Sequence, residues 1–413
     1  MRRKIIEAAT IAMLASCVSI DMSGPKETLG TGPSRNEVLL ANGGRKEHGG
    51  HTEGSGSGFR KDTALYVSAI EFPKGYDWRK DTAYLRSGAS IVLFRNGERV
   101  MTLPAGASEC IGSGADMHHI VQGHVVTEYY GNDGTTVKID GKEVFHSSWF
   151  EVLRGLLMDG DKLLSLTQKK SGFVYRRGGS VVMERSSGEI IGSLGDDHLF
   201  QGGALSSDNG CICFAYRSAD GTVLVEDGLE KPVACNGEVI DIRRIDTETC
   251  LLEKEGDHLR FSVGDRSRTV GYSYNTIRSG CHISILGDEP VAICLFDNRF
   301  GTSSTEIHRV DKAVKLLMGI HTIVPCEDAY GYITFGASSG LSITGFDGDV
   351  TKLDGPYLWM GTRACGSLGG DMILAATPYS TGGVPVMIRN GKKEELNLNG
   401  FVTGVSCVVN HPS

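Results

Sequence analysis

The chain has 413 residues, of which 40% are hydrophobic and 22% are charged, and its formal net charge is −8 at pH 7. This composition is typical of a globular protein that is long enough to bury a sizeable core. No Lys- and Arg-rich run follows the first four residues. Nucleic acid is therefore not expected as a partner, because binding to phosphate backbones requires clustered positive charge.

The amino-terminal segment has the pattern of a signal peptide. A basic start, Met1–Lys4, precedes an apolar run, Ile5–Ala15, that is too short to span a bilayer as a helix. The run ends in Leu14-Ala15-Ser16-Cys17, which resembles the lipobox of bacterial lipoproteins. The resemblance implies that residues 1–16 are removed and that Cys17 carries the acyl chains.

Lipidation of Cys17 would anchor the protein in the bacterial cell envelope, since two or three acyl chains suffice for stable membrane binding. Val18 follows the cysteine where an Asp would signal retention in the inner membrane. The resemblance therefore implies the outer membrane and leaves the leaflet open. Residues 17–62 are rich in Gly, Ser and charge, which predicts a flexible tether because such a segment buries too little surface to offset its ordering entropy.

From residue 63 onward, short runs rich in Val, Ile, Tyr, Phe and Thr alternate with turn signals, and no stretch has a helical period. One hairpin recurs, and its turns are marked by Gly97, Gly141, Gly178, Gly228, Gly264, Asp311, Gly348 and Gly391. The steps between these markers run from 36 to 50 residues and average 42. That period is typical of four-stranded propeller blades.

The sequence therefore predicts an all-β fold over residues 63–413, a β-propeller with eight four-stranded blades. The first blade supplies only three strands, and one strand, Phe401–Val409, remains after the last hairpin. Pairing of this carboxy-terminal strand with the amino-terminal one would close the ring and remove both sheet edges. The turns at Gly264 and Asp311 are the weakest, so a seven-bladed ring stays open as the alternative.

The segments Ile70–Trp78 and Asp116–His119, together with the lipobox and the repeats, resemble those of uncharacterised β-propeller lipoproteins from gut-type bacteria. The resemblance implies the fold and the location in the envelope. It implies no substrate, because that family has no assigned activity.

Candidate binding residues lie in the loops at one mouth of the predicted channel, where propellers usually bind their ligands. The loop over residues 73–89 is much longer than its counterparts and contains Tyr76, Trp78 and Arg79, which suit a sugar or peptide surface. Blade-to-blade loops add Trp149, His198, Arg278, Trp359 and Arg363. The competing interpretation is packing for the aromatic residues and surface ion pairs for the arginines.

No motif predicts a catalytic residue, a cofactor or a metal site. Ser338 lies in a Gly-x-Ser-x-Gly pattern, but a strand and not a helix follows it. His118 and His119 would point to opposite faces of a strand, so they cannot share one ion without a bulge. The ten cysteines after Cys17 lack metal-ligand spacing. We interpret them as mainly buried thiols, with any disulfide pairing open.

Two hypotheses for function follow. The first is a non-enzymatic binding or scaffold module, tethered through Cys17, for a glycan or a protein partner in the envelope. The alternative is an envelope polysaccharide lyase or glycoside hydrolase with its site at the channel mouth. A deep pocket with converging Asp, Glu or His side chains would favour the enzyme, whereas a flat aromatic rim would favour the binding module.

Overall fold

The computed structural model describes residues 63–79, 88–104, 118–131, 133–192, 203–208, 210–270, 275–277, 280–287, 289–298, 302–326, 329–336, 340–358, 361–380 and 382–409. The described residues all belong to one compact unit, Asp62–Ser413. The predicted signal peptide and tether, with Cys17, lie outside the described residues. No helix among the described residues has the length and hydrophobicity needed to cross a membrane.

The second unit is a β-propeller of eight antiparallel blades, which confirms the predicted fold class and the blade count. We number the strands in chain order. Blades 1 to 4 contain β1 (Thr63–Glu71), β2 (Ser90–Arg95) and β3 (Glu98–Pro104); β4 (His118–Val121), β5 (His124–Gly131), β6 (Gly134–Ile139) and β7 (Lys142–Ser147); β8 (Val152–Asp159), β9 (Lys162–Gln168), β10 (Phe173–Arg177) and β11 (Ser180–Arg185); and β12 (Glu189–Ile190), β13 (Ser206–Asp208), β14 (Cys211–Ser218), β15 (Gly221–Glu226) and β16 (Leu229–Val233).

Blades 5 to 8 follow in the same order, from the inner to the outer strand. They contain β17 (Glu238–Ile245), β18 (Glu248–Glu255), β19 (His258–Val263) and β20 (Arg266–Val270); β21 (Asn275–Ile277), β22 (His282–Leu286), β23 (Glu289–Asn298), β24 (Ser303–His308) and β25 (Ala313–Met318); β26 (His321–Cys326), β27 (Ala329–Gly336), β28 (Gly340–Thr344) and β29 (Val350–Leu353); and β30 (Tyr357–Leu358), β31 (Cys365–Leu368), β32 (Asp371–Pro378), β33 (Val386–Arg389) and β34 (Lys392–Glu395).

The ring closes through β35 (Gly400–Val409), which is the inner strand of blade 1. It pairs antiparallel with β1 from Thr63 opposite Val409 to Glu71 opposite Gly400. The two ends of the propeller sequence therefore share one sheet, as predicted. Pairing with β35 covers the inner edge of β1, and β35 becomes the innermost strand of blade 1.

Four hairpin turns show why Asn or Asp precedes glycine there. In blades 1, 2, 4 and 8 both central residues have positive φ, for example 51° at Asn96 and 85° at Gly97. Asn and Gly tolerate this conformation, which type I′ turns require. The Asn96 side chain also accepts a bond from the backbone N–H of Leu65, and Asp140, Asp227 and Asn390 repeat this contact. Each of these turns thereby holds the start of its blade's second strand.

Eight hydrophobic clusters fill the junctions between successive blades. The junction of blades 5 and 6, for example, contains Leu252 and Phe261 on one side and Ala292 and Phe296 on the other. Alternate residues of the central strands thus face neighbouring sheets on both sides. Burial between blades is the main apolar contribution to the stability of the ring.

The inner strand is divided into two pieces in blades 4, 6 and 8. Both pieces, such as β21 and β22, pair with the same second strand. The hairpin-to-hairpin step is 50, 47 and 43 residues for these blades and 37, 36 and 37 for blades 3, 5 and 7; it is 44 for blade 2, whose inner strand β4 is undivided. His198, Arg278, Trp359 and Arg363 were predicted in blade-to-blade loops, but their positions in the chain fall in these interruptions.

Candidate functional site

The described part of the long loop after β1 packs back onto blade 8. Trp78 is only 5% exposed. The centroid of its ring lies 5.2 Å from that of Phe401 and 6.4 Å from that of Tyr379, which meets it edge-on. The amide of Asn399 donates to the carbonyl oxygens of Pro73 and Tyr76 at 2.9 and 3.0 Å. Trp78 therefore anchors the loop at the junction of blades 8 and 1.

Arg79 also holds this loop against blade 8. Its guanidinium carbon lies 4.2 Å from the centroid of the Trp78 ring. The Nη2 atom of Arg79 donates to the carbonyl oxygens of Pro378 and Gly383 at 3.0 and 2.6 Å. Burial lowers the pKa of Arg79 from its ordinary value, while Asp77 acts to raise it. Tyr76, Trp78 and Arg79 are thus brought together, and a ligand role for them stays a prediction.

Trp149 and Phe150 lie on the short turn between β7 and β8, at the junction of blades 2 and 3. Their side chains are 69% and 61% exposed. The ring of Phe150 packs against Tyr130 at the end of β5, with centroids 4.8 Å apart and a tilt of 34°. We call Tyr130, Trp149 and Phe150 the aromatic ridge. It presents large apolar side chains to solvent on a turn of only a few residues.

The base of the aromatic ridge is a buried carboxylate, Glu151, with 0% exposure. Arg176 donates to both carboxylate oxygens of Glu151, at 2.7 and 3.0 Å. The hydroxyls of Ser147 and Thr167 donate to it at 2.6 and 2.5 Å, and Ser147 Oγ also accepts from the N–H of Trp149 at 3.3 Å. Burial acts to raise the pKa of Glu151, but these donors hold it below its ordinary value. A fixed charge network therefore positions the turn.

A second buried acid, Glu128, lies beneath the aromatic ridge. Its carboxylate accepts a 2.8 Å bond from the backbone N–H of Leu153. Burial raises the pKa of Glu128 from 4.5 to about 7, although hydrogen bonds from Tyr130 and Leu153 act to lower it, and the negative charge of Glu151 adds to the rise. Tyr130 therefore connects the exposed ridge to a group that titrates near neutral pH.

The two aromatic loops lie on the same face of the propeller. Because the strands of each blade are antiparallel, the loop from the second to the third strand and the loop to the next blade leave from one face. Trp78 lies in a loop of the first kind and Trp149 in one of the second. They belong to different junctions, so the structure divides the predicted site residues into two groups.

The other predicted residues are only partly described. His198, Arg278 and Trp359 lie outside the described residues, as does Ser338. Arg363 belongs to a 3-10 helix, Gly361–Ala364, that directly precedes β31, and its side chain is half-buried. Sequence reasoning missed Phe150, Tyr130 and the 51%-exposed Tyr379. For Phe150, its position next to Trp149 in a polar loop was the available signal.

The described residues contain no group of three or more His, Cys, Asp or Glu side chains that could hold a metal ion. The Asp347 carboxylate accepts from the N–H of Asp349 within the hairpin that joins β28 and β29. This segment is a hairpin turn, as predicted from the sequence. On the face that carries both loops, the candidate functional features among the described residues are therefore aromatic side chains and the buried residues that hold them.

No protein-family model matches the chain, and no curated protein matches its sequence. Among solved structures, it is similar to apo AztD from Citrobacter koseri, with 9% identity, a TM-score of 0.45 and coverage of 84% of this chain and 98% of that one. It is also similar to Kluyveromyces lactis Hsv2, with 9% identity, a TM-score of 0.38 and coverage of 74% and 93%.

A third similar structure is a puromycin-hydrolyzing peptidase from Mycobacterium tuberculosis, with 10% identity and a TM-score of 0.38. The match covers 68% of this chain and 53% of the peptidase. At these identities and TM-scores, none of the three indicates what this chain binds.

Proposed function

We propose that this protein is a non-enzymatic binding propeller of the bacterial cell envelope that presents the aromatic ridge to a glycan or a protein partner. The observation that carries the proposal is the 69% exposure of Trp149 and the 61% exposure of Phe150 on a turn with a buried ionic base. Folding gains little from apolar side chains that stay in water, whereas a ligand that covers them gains their burial.

The rigid base supports binding in a second way. Immobilising flexible side chains on binding lowers affinity, so a site that is already ordered binds more tightly. The bond from Trp149 to Ser147, the network around Glu151 and the packing of Phe150 on Tyr130 fix the turn before any ligand arrives. Trp and Phe also have few rotatable bonds, which keeps the remaining entropic cost low.

The ligand test uses a panel of soluble neutral and anionic polysaccharides, with retardation in affinity electrophoresis and tryptophan fluorescence as readouts. We expect one class to retard the wild type and Trp149→Ala to abolish the retardation. Tyr379→Ala, which removes an exposed aromatic residue at another junction, should keep it.

The outcomes separate the parts of this proposal. Equal retardation of the wild type and Trp149→Ala would show that the aromatic ridge is not the site. No retardation, with Trp149-dependent crosslinking to one envelope protein, would favour the protein partner. New reducing ends or unsaturated products from a retained polysaccharide would overturn the non-enzymatic part and favour a hydrolase or lyase.

The envelope location needs its own test, because it depends on the lipobox resemblance. We expect the intact mass of the detergent-extracted protein to correspond to a chain that begins at Cys17 and carries acyl chains. Cys17→Ala should lose both the acyl mass and the membrane association. A soluble chain that begins at Met1 would contradict the lipid anchor and leave the ligand test unaffected.

A further inference from the structure

Two buried cysteines face each other across neighbouring strands of blade 6. Cys281 directly precedes β22, and Cys294 lies within β23; they are 3% and 0% exposed. The antiparallel register pairs His282 with Ile293. Continued by one residue, it places Cys281 directly opposite Cys294.

The hydrogen bonds identify which kind of antiparallel pair this is. The N–H of Leu295 donates to the sulfur of Cys281 at 3.2 Å, so it points towards β22. N–H groups alternate sides along a strand, so that of Ile293 also points to β22 and that of Cys294 points away. Cys281 and Cys294 are therefore a non-hydrogen-bonded pair, for which the Cα separation is about 4.5 Å. That separation lies within the range of disulfides.

The two thiols are also joined by a hydrogen bond, which lowers the pKa of Cys281 and raises that of Cys294 well above its ordinary value. The thiolate is the reactive form of cysteine in disulfide exchange. Both thiols are buried, so we expect exchange with an oxidant while the chain folds, before the core closes over them.

We propose that Cys281 and Cys294 form a disulfide by exchange with a disulfide-bearing oxidant. While the chain folds, the thiolate of one cysteine attacks one sulfur of the oxidant and releases its first thiol. The thiolate of the other cysteine then attacks the protein sulfur of the mixed disulfide and releases the second. The cysteine pair loses two electrons and two protons, and the oxidant gains both as it becomes two thiols.

A second pair of touching thiols provides an internal comparison. The sulfur atoms of Cys211 and Cys213 lie 3.7 Å apart, but these cysteines are two positions apart on β14. Their Cα atoms are separated by about 6.6 Å, near the upper limit for a disulfide. We expect this pair to stay reduced under conditions that oxidise Cys281 and Cys294.

The experiment refolds the full reduced chain in a mixture of reduced and oxidised glutathione, then blocks free thiols with iodoacetamide in denaturant, so that buried thiols also react, and maps the peptides by mass. Trypsin leaves both cysteines in the peptide 279–299, and cleavage on the amino side of Asp288 separates them. We expect this tryptic peptide to carry no iodoacetamide label and to be lighter by two hydrogen atoms than the reduced, unlabelled peptide. After the second cleavage, its two fragments should stay joined until reductant is added.

The wild-type map needs no variant, so a folding defect cannot hide the result. Cys281→Ser and Cys294→Ser should each leave the other cysteine alkylated, and reductant should lower the Tm of the oxidised wild type but not of the double variant. Full alkylation of both cysteines while Cys211 and Cys213 are bridged would overturn the proposal, as would a bond from Cys281 to any other cysteine. Because glutathione is the oxidant, these outcomes are independent of the envelope location.

Discussion

Trp78 and Trp149 lie in loops on the same face of the propeller, yet they are 5% and 69% exposed. Trp78 contacts Phe401, more than 300 positions away in the chain, and Arg79 donates to the carbonyl oxygens of Pro378, at the end of β32, and Gly383, in the loop that follows. Trp149 remains largely in solvent, and its turn is held by the buried charge network around Glu151. Trp149 is exposed and its turn is held by buried residues, whereas Trp78 is buried and itself anchors its loop.

Removing the carboxylate of Glu151 tests whether the buried charge network supports the turn that carries Trp149. Glu151→Ala leaves the Arg176 guanidinium buried without its carboxylate. We expect a loss of about 3–5 kcal/mol in the free energy of unfolding, measured in urea. Glu184→Ala, which removes an exposed carboxylate paired with Lys169, should change it by no more than about 1 kcal/mol. Equal effects would contradict a structural role for the buried pair.

Trp78→Ala tests whether the buried tryptophan anchors the loop after β1. The substitution removes a large buried ring from the junction of blades 8 and 1, and we expect a loss of about 3–5 kcal/mol. Trp78→Phe keeps an aromatic ring against Phe401 and should lose less. Unchanged unfolding in Trp78→Ala would mean that the loop is not anchored by this side chain.

The pH dependence of stability tests the acid below Tyr130. The pKa of Glu128 is raised by burial from 4.5 to about 7, so the folded protein keeps a proton that the unfolded chain releases. The protonated Glu128 therefore contributes to the free energy of unfolding. Its contribution is fully present below about pH 4.5 and is lost as pH rises through about 7, and the total loss is about 3 kcal/mol.

Glu128→Gln keeps an uncharged acceptor and should not show that fall between pH 5 and pH 8. The measurement is urea unfolding of both proteins across this range. Parallel pH profiles for the wild type and the variant would show that Glu128 does not titrate in this window.

Trp149→Ala should have the smallest effect on folding. Its side chain is largely in water, so the free energy of unfolding should change by no more than about 0.5 kcal/mol. Loss of ligand retardation without loss of stability would then assign Trp149 to binding. A stability loss as large as that of Trp78→Ala would remove the distinction between the two loops.

The regular part of the fold could be predicted because its signals are local. Asn96-Gly97 and Asn390-Gly391 favour a hairpin whatever surrounds them, since their backbone conformation suits a tight turn. Counting strands between such turns also predicted that β35 pairs with β1. Both conclusions needed only the period and the strand count.

The site could be predicted only in part because its contacts join distant residues. The sequence indicates that Trp78 and Trp149 lie in loops, but whether they are buried depends on Phe401 and on the base around Glu151. Glu151 directly precedes the first strand of blade 3, and its partner Arg176 lies on the third strand. The sequence contains many acidic residues and arginines, and it does not indicate which of them pair. The divided inner strands were missed because two- or three-residue strands have no readable period.

Closure of the ring by β35 has a consequence for the order of events during synthesis. The ribosome makes β1 first, and 328 residues separate Glu71 from Gly400. Blade 1 can be completed only after residue 409 has been made. The seam between blades 8 and 1, which Trp78 and Arg79 fasten, is therefore the last part of the ring that a growing chain can assemble.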